Sequence, residues 1–305
     1  MLWLIIYPGM KRTSVFIIVI VAIILTACTA SGSDQTPPPS TYIQNKGSDT
    51  IVNLALAWAE EYQKLHPEVR ISVTGGGSGT GITAMISGTV DIANASRQIK
   101  EEEMQAALAN GIEPVEHVVA RDAIAVIVHP QNPVNRLTID QISLIYQGVI
   151  NNWQEVGGEN RPIVRLSRET NSGTHVYFLE EVIRKGDHSN KAIFSADTLL
   201  LPSSEGIIAE VSDNPNAIGY DGLGYVTEHV KVLAIGTQPE GPFVMPSIES
   251  VNSGAYPISR DLYMYTRRDA PPLVGEYLNW ILSPQAQEIV SRLGFVPIIT
   301  YSAGN

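Results

Sequence analysis

Segments with the period of a strand alternate with segments with the period of a helix along most of this chain. Apolar residues recur every three or four positions over residues 50–65, which predicts an amphipathic helix. Residues 69–73 alternate apolar and polar side chains, which predicts a half-buried strand. The alternation continues to Leu293 and predicts an α/β protein with helices covering its sheets. A chain of 305 residues is long enough for two such lobes.

The same periodicities place the other elements. Strands are expected at residues 115–120, 123–128, 163–166, 217–220 and 262–266, and helices at 82–86, 138–148, 174–183, 207–211, 273–282 and 285–293. Thr138 with Gln141 three residues later has the pattern of a capping box.

Composition excludes several classes of protein. A hydrophobic content of 44% argues against disorder, and a net charge of −11 without a Lys/Arg block argues against a nucleic-acid partner. The single Cys excludes a disulfide framework, and the six His lack the spacing of metal ligands. We therefore expect no cofactor and no metal.

The N-terminus has the pattern of an export signal. Lys11 and Arg12 precede an apolar run at residues 15–25, and Leu25-Thr26-Ala27-Cys28 resembles a lipobox. We expect a signal peptide at residues 1–27, acylation of Cys28 and a flexible Pro/Ser-rich tether at 28–41. The protein would then be exported and lipid-anchored to the outer face of the cell membrane, or periplasmic. An uncleaved signal anchor is the alternative, and translation could start at Met1 or Met10.

Three segments rich in glycine and hydroxyls stand where helices are expected to begin: 47–50 (Gly-Ser-Asp-Thr), 75–81 (Gly-Gly-Gly-Ser-Gly-Thr-Gly) and 168–174 (Arg-Glu-Thr-Asn-Ser-Gly-Thr). Free amides and the helix dipole favour an anion at such positions, Gly allows close approach, and an Arg fork matches an oxyanion. If the three segments converge, they predict an anion site. The alternative is that each is only a helix cap.

Two other chemistries fit less well. A P-loop requires Lys after its last Gly, and Ile82 stands there. A secreted hydrolase could use Ser172 with nearby His175, or Ser78, as its nucleophile, but the turn around Ser78 lacks the closing Gly of a nucleophile elbow. We therefore expect a binding protein and no enzyme.

Taken together in order, eight motifs resemble the phosphate-binding proteins of bacterial and archaeal phosphate ABC transporters. They lie at residues 47–50, 58–62, 75–81, 91–97, 121–125, 145–148, 152–157 and 168–174, and the resemblance covers nearly all of 42–298. Each motif alone is weak, but the ordered set is specific.

The resemblance implies a type II periplasmic-binding-protein-like fold, with two α/β lobes joined by two crossing strands. With crossings near Asp122 and Ser259, lobe 1 is residues 42–122 plus 259–305 and lobe 2 is 123–258. It also implies a phosphate receptor that delivers its ligand to ABC permease subunits, with a monomer as the working form. The family's ligands map onto Ser48, Asp49, Thr50, Ser78, Gly79, Arg168, Ser172, Gly173 and Thr174.

One position departs from the family pattern. Some members carry a carboxylate that accepts the proton of hydrogen phosphate where this chain has Arg97, which puts selectivity against sulfate in question. We expect Asp49 to be the acceptor, or else a helix N-cap. Arg97 is either a second cationic contact or the partner of a lobe-bridging carboxylate. A receptor for sulfate, molybdate or tungstate is the nearest alternative function.

Overall fold

A mixed β-sheet organises the fold, and its two parallel halves meet at an antiparallel centre. The computed structural model describes residues 41–187 and 189–298. The predicted signal peptide, the acylation site at Cys28 and all of the tether before Thr41 lie outside the described residues.

The strands are β1 (Tyr42–Gly47), β2 (Arg70–Thr74), β3 (Ile92–Ala95), β4 (Pro114–Val128), β5 (Arg136–Thr138), β6 (Val164–Arg168), β7 (Leu199–Leu201), β8 (Ala217–Gly222), β9 (Lys231–Val232), β10 (Ala234–Gly236), β11 (Phe243–Val244) and β12 (Ser259–Arg267). The α-helices are α1 (Asp49–Leu65), α2 (Ser78–Ile86), α3 (Glu101–Ala109), α4 (Ile139–Tyr146), α5 (Gly173–Tyr177), α6 (Ser204–Asp213), α7 (Ile248–Asn252), α8 (Pro272–Ile281) and α9 (Pro284–Arg292). A π-helical turn follows α5 at Phe178–Ile183, and 3₁₀ turns lie at Trp153–Val156 and Leu223–Tyr225.

The main sheet has the strand order β2-β1-β3-β12-β4-β8-β6-β7, with β9 pairing β4. Strands β2, β1 and β3 run parallel to one another, as do β8, β6 and β7. Between these groups, β12 pairs antiparallel with both β3 and β4. Two long central strands, β4 and β12, therefore lie between the two parallel groups and join them into one sheet. A smaller sheet, β11-β10-β5, lies apart from this order.

Strand β4 contains Asp122 and strand β12 begins at Ser259, the two predicted crossing points. Ser259 pairs with Ala123, and Arg260 pairs with Asp122. One hydrophobic cluster nevertheless takes side chains from both predicted lobes, such as Ile43 and Leu166, while a second lies wholly within residues 123–258 apart from Val296. The division into lobes at these positions stays a prediction.

Helix α1 shows why these residues fold as they do. Ile51, Leu54, Trp58 and Tyr62 recur at helical spacing and are all buried, so one face of the helix packs on the sheet. Burying each such side chain contributes about 1.5–3 kcal/mol. The N-terminus of this packed helix lies directly after the end of β1.

Most predicted elements are confirmed, with ends shifted by a few residues. Two predictions were wrong in detail. The separate strands expected at 115–120 and 123–128 are one strand, because Arg121 and Asp122 pair with β12 instead of turning. The helix expected at 174–183 becomes π-helical from Phe178.

The capping box predicted at Thr138 and Gln141 is present. The backbone amide of Gln141 donates to Thr138 Oγ1 at 3.1 Å, and the backbone amide of Thr138 donates to Gln141 Oε1 at 2.9 Å. Across residues 41–187 and 189–298, none of the helices has the length and apolar character needed to cross a bilayer.

Candidate functional site

The candidate site lies where the carboxyl ends of strands from the two parallel groups come together. Strand β1 leads through Ser48 into α1, β2 leads into α2, β3 leads to Ser96, and β6 leads through Ser172 into α5. Ligands of open α/β sheets bind at such strand ends. The three predicted turns come from both parallel groups, and side-chain contacts in the structure bring them together.

Three serine hydroxyls form the base of this contact. Ser48 Oγ donates to Ser96 Oγ at 3.0 Å, and the Ser96 amide donates to Ser78 Oγ at 3.0 Å. Ser78 is the first residue of α2, so the helix begins four residues earlier than predicted. All three side chains are buried. Buried hydroxyls of this kind are neutral hydrogen-bond donors in a water-poor environment.

Gly173 lies directly against the hydroxyls of Ser78 and Ser96. A Cβ built on Gly173 would collide with the hydroxyl oxygens of Ser78 and Ser96. Only glycine therefore allows the start of α5 to approach this closely. The third predicted turn is thus in direct contact with the second.

A pair of threonines makes a second contact between the turns. Thr50 Oγ1 and Thr174 Oγ1 are 2.8 Å apart although the residues are 124 positions apart in the chain. Arg260 Nη2 donates to Thr174 Oγ1 at 2.9 Å and to Thr50 Oγ1 at 3.3 Å. A cationic side chain that the sequence reading missed therefore lies beside the predicted site.

The loop before α5 interlocks with the glycine-rich turn. The Gly79 amide donates to the Asn171 carbonyl oxygen at 3.2 Å, and Asn171 Nδ2 donates to the Gly76 carbonyl oxygen at 3.0 Å. Gly77, with φ +89°, lies against the same Asn171 carbonyl. The Gly79 amide is therefore already bonded in this arrangement.

Arg168 is buried and its donors are aimed at protein oxygens. Nη2 donates to Asp49 Oδ2 at 2.7 Å and to the Pro202 carbonyl at 2.8 Å, and Nη1 donates to Ser204 Oγ at 2.8 Å. Asp221 Oδ2 lies 3.7 Å from Nη1, outside hydrogen-bond distance. An anion that binds Arg168 would therefore exchange one of these partners.

Asp221 is a buried carboxyl group close to the Arg168 guanidinium. Burial raises the pKa of this carboxyl, whereas the Arg168 guanidinium lowers it, and the net direction is upward. Asp49 Oδ2 lies 2.7 Å and Asp221 Oδ2 lies 3.7 Å from the guanidinium nitrogens, so two carboxyl groups offset the charge of Arg168.

Arg97 does not contact the serine hydroxyls. Its Nη1 and Nη2 atoms donate to Glu103 at 2.8 and 2.6 Å, and Glu103 is only six residues away. The pair is therefore local, and Glu103 is not a lobe-bridging carboxylate. Burial opposes ionisation of Glu103, but the Arg97 hydrogen bonds outweigh it and hold its pKa below the usual value. Arg97 Nε is buried without a partner.

Ser172 and His175 do not form a catalytic pair. Ser172 Oγ accepts from the Thr174 amide at 3.2 Å and so caps α5. His175 is buried, stacks on Phe194 and shares a hydrogen bond with Ser167 Oγ at 3.0 Å. Burial lowers the pKa of this imidazole, and the hydrogen bond with the Arg168 backbone opposes the shift.

Sequence reasoning missed Ser96 and Arg260 as members of the site. Ser96 lies inside the quoted motif at 91–97, so that motif was the available signal. Arg260 belongs to no motif, and only the pairing of β12 with β4 brings it to Asp122. No group of three or more His, Cys, Asp or Glu in the described part of the chain is arranged to hold a metal ion.

This fold and site define a class of binding protein. A PBP superfamily domain profile matches residues 32–285, so the chain belongs to that superfamily and the predicted periplasmic-binding-protein-like fold is confirmed. The phosphate-binding protein PstS of Pseudomonas aeruginosa is 34% identical over 274 residues, covering 84% of this chain and 83% of that protein. The chain is therefore a member of the PstS family of phosphate-binding proteins.

Solved structures agree with this placement. A protein from Clostridium perfringens, assigned as a phosphate ABC transporter substrate-binding protein and holding bound phosphate, is 32% identical with a TM-score of 0.76 and covers 85% of this chain and 100% of its own. An ABC-type phosphate transport receptor from Vibrio cholerae is 28% identical, with a TM-score of 0.66. The match covers 83% of this chain and 99% of that receptor.

Proposed function

We propose that this protein is an extracytoplasmic receptor that binds inorganic phosphate in an interlobe cleft and delivers it to the permease of an ABC transporter. The observation that carries the proposal is the convergence of three hydroxyl-bearing turns from the two parallel groups of strands, with Ser48, Ser78 and Ser96 buried together. The matched relatives named as phosphate-binding proteins support it.

The proposed ligands are the hydroxyls and amides of the three turns together with Arg168. They are Ser48, Asp49, Thr50, Ser78, Gly79, Arg168, Ser172, Gly173 and Thr174, with Arg97 as an outer cationic contact. Hydrogen bonds from buried donors to an anion are stronger than those on an open surface because little water competes. A net charge of −11 does not oppose this, since local donors decide the binding.

Lobe movement would open and close the site. We place the lobes at residues 42–122 plus 259–305 and at 123–258, with β4 and β12 as the hinge strands. In this division, two hydrogen bonds join opposite lobes. One links Arg168 to Asp49, and the other links Thr50 to Thr174. Separation of the lobes would break these contacts and admit the anion.

No bond is made or broken in this function. The matched relatives are binding proteins, and His175 is held by Ser167 and is not paired with Ser172. A secreted phosphoester hydrolase would turn over a chromogenic phosphoester and lose that turnover in Ser172→Ala, whereas the receptor turns over none.

The predicted N-terminal features complete the proposal. Removal of the signal peptide and acylation of Cys28 would tether a monomeric receptor to the membrane surface, within reach of its permease. Replacement of Cys28 by Ala should release the protein from membrane fractions, whereas a retained protein would indicate an uncleaved anchor.

Thermal unfolding of the purified, ligand-stripped protein tests the proposed ligand. A ligand at about 100 times its Kd adds roughly 2.7 kcal/mol, which raises the Tm by several degrees. We expect this shift with micromolar phosphate and none with sulfate or molybdate. A shift with sulfate or molybdate alone would keep the site and assign Arg97 the change of selectivity, and the absence of any shift would contradict the receptor.

A further inference from the structure

Arg260 lies where both central strands and two of the anion-site turns meet. It pairs across β12 and β4 with Asp122, and its Nη2 donates to Asp122 Oδ2 at 3.0 Å. Nη1 donates to the Ser96 carbonyl oxygen at 3.0 Å. Both members of the ion pair are buried. The guanidinium is therefore held in place by atoms that do not belong to the predicted ligand set.

The protons of Arg260 Nη2 constrain the neighbouring hydroxyls. This nitrogen has two protons and faces three oxygen acceptors, on Asp122, Thr174 and Thr50. A guanidinium only donates, so both threonine oxygens accept from it. The two hydroxyls are 2.8 Å apart, so one donates to the other. One hydroxyl proton then remains, and it must point away from Arg260.

Arg260 also contacts lobe 2 through an aromatic ring. Its guanidinium carbon lies 5.5 Å from the centre of the Tyr177 ring, a distance at which a cation and a π-face attract each other. Tyr177 Oη donates to the Ser259 carbonyl oxygen at 2.7 Å. Because Thr174 and Tyr177 are both on α5, Arg260 contacts this helix at two points.

We propose that Arg260 is a positioning residue of the phosphate site, which orients the Thr50–Thr174 pair so that its one remaining hydroxyl proton is a donor toward the anion, and which links anion binding to lobe closure. The inference rests on the proposed function. In an open state the two threonines separate, and Arg260 keeps Asp122 and Ser96, which belong to lobe 1. Closure adds Thr174 and the Tyr177 ring, so phosphate and Arg260 favour the same state.

Titration calorimetry with inorganic phosphate tests this on the purified protein, comparing the wild type with Arg260→Gln, Arg260→Lys and Arg165→Gln. Arg165 is the matched control, since it is also a buried arginine paired with a carboxylate, Asp197, and its other hydrogen bonds go to Ile145, Ile150 and Asn151, outside the three turns. We expect Arg260→Gln to raise the phosphate Kd by about 10- to 100-fold, as for loss of a hydrogen bond to a charged group. Arg165→Gln should lower the Tm and leave the Kd within about twofold of the wild type.

Arg260→Lys separates positioning from charge alone. An ammonium keeps the charge but lacks the planar fork that reaches Ser96, Asp122 and both threonines, so we expect partial recovery with a Kd still about fivefold above wild type. This variant also keeps the test decisive if Arg260→Gln does not fold. Small-angle scattering should show that saturating phosphate compacts the wild type more than the lysine variant.

The outcomes are distinct for the two proposals. If the wild type binds phosphate and both Arg260 variants bind it equally well, the positioning role is wrong and the receptor function stands. If Arg260→Lys alone restores full affinity and compaction, Arg260 acts only by charge, which also overturns the positioning role. If the wild type binds no phosphate, the function fails and this inference fails with it.

Discussion

Asp49 Oδ2 accepts a hydrogen bond from Arg168 Nη2 at 2.7 Å, across 119 positions of sequence. The other carboxylate oxygen, Oδ1, accepts from the Gly76 amide at 2.8 Å. One side chain in the first turn of α1 therefore links all three glycine- and hydroxyl-bearing turns. Its negative charge also lies where the helix dipole is positive. Asp49 is thus a cross-link of the closed site, in addition to the acceptor role proposed for it.

Asp49→Asn should narrow the affinity gap between phosphate and sulfate. The amide loses the charge that repels fully deprotonated sulfate and also loses the acceptor for the proton of hydrogen phosphate. Titration calorimetry with each anion measures the ratio of the two Kd values. Asp49→Asn also weakens the link to Arg168, so both affinities should fall. Ser48, and not Asp49, is the N-cap of α1, so the capping alternative for Asp49 was wrong and an unchanged ratio would leave Asp49 with only the cross-linking role.

Arg168→Ala should weaken phosphate binding by at least about 30-fold, since truncating one member of a buried charge pair costs about 2–5 kcal/mol. The truncation leaves Asp49 and Asp221 without their cation, so the Tm should also fall. Phosphate titration of the folded variant measures the loss. Wild-type affinity in Arg168→Ala would remove this arginine from the site.

Ser172→Ala should weaken phosphate binding by about 10-fold or more, because it removes one hydrogen bond to a charged group. Ser247→Ala is the matched control, since Ser247 caps α7, which has five residues as α5 does. Both changes remove a helix cap, worth about 1 kcal/mol of stability. Only Ser172→Ala should alter the phosphate Kd, and equal effects in the two variants would reduce Ser172 to a cap.

Gly173→Ala should block closure of the site. The added methyl group would overlap the hydroxyls of Ser78 and Ser96, and neither buried serine has free space around it. We expect a large loss of phosphate affinity with little loss of secondary structure by circular dichroism. Gly275→Ala is the control because its Cβ would meet no atom within 4 Å. Full affinity in Gly173→Ala would show that the two turns do not need to touch.

Asp122 should make stability depend on pH. Burial raises the pKa of this carboxyl to about 6, although Arg260 opposes the shift. An unfolded Asp titrates near pKa ~3.9, so between about pH 4 and pH 6 the folded protein holds the extra proton. Stability contributed by this group is therefore present at low pH and is lost as the pH rises through 6.

Denaturant unfolding of the wild type and Asp122→Asn at pH 4.5 and pH ~7 checks this sign, on the linkage argument. The free energy of unfolding of the wild type should fall relative to that of Asp122→Asn between the lower and the higher pH. A difference that is the same at both pH values would show that Asp122 keeps an ordinary pKa.

The alternation of strand and helix periods predicts much of this fold, because each pattern depends on local burial. It could not show that β4 is continuous, since Arg121 and Asp122 interrupt the apolar pattern and are accommodated only by pairing with β12. The three turns could be predicted as anion-binding because hydroxyls, glycines and helix starts coincide locally.

The remaining site features depend on tertiary contacts. Arg260 has no local signal, and its role depends on the pairing of β12 with β4. The different partners of Arg97 and Arg168 could not be predicted either. Arg97 pairs with Glu103, six residues away, whereas Arg168 pairs with Asp49, 119 positions away. The sequence predicted an oxyanion ligand at Arg168, and at Arg97 either a second cationic contact or the partner of a lobe-bridging carboxylate.

A crystal structure of the protein grown with saturating phosphate would show the proposed site itself. We expect one tetrahedral anion enclosed by Ser48, Ser78, Ser172 and Thr174, with Arg168 donating to it and Arg260 still bonded to Asp122. Phosphate bound elsewhere, or an empty cluster of hydroxyls at saturating phosphate, would contradict it.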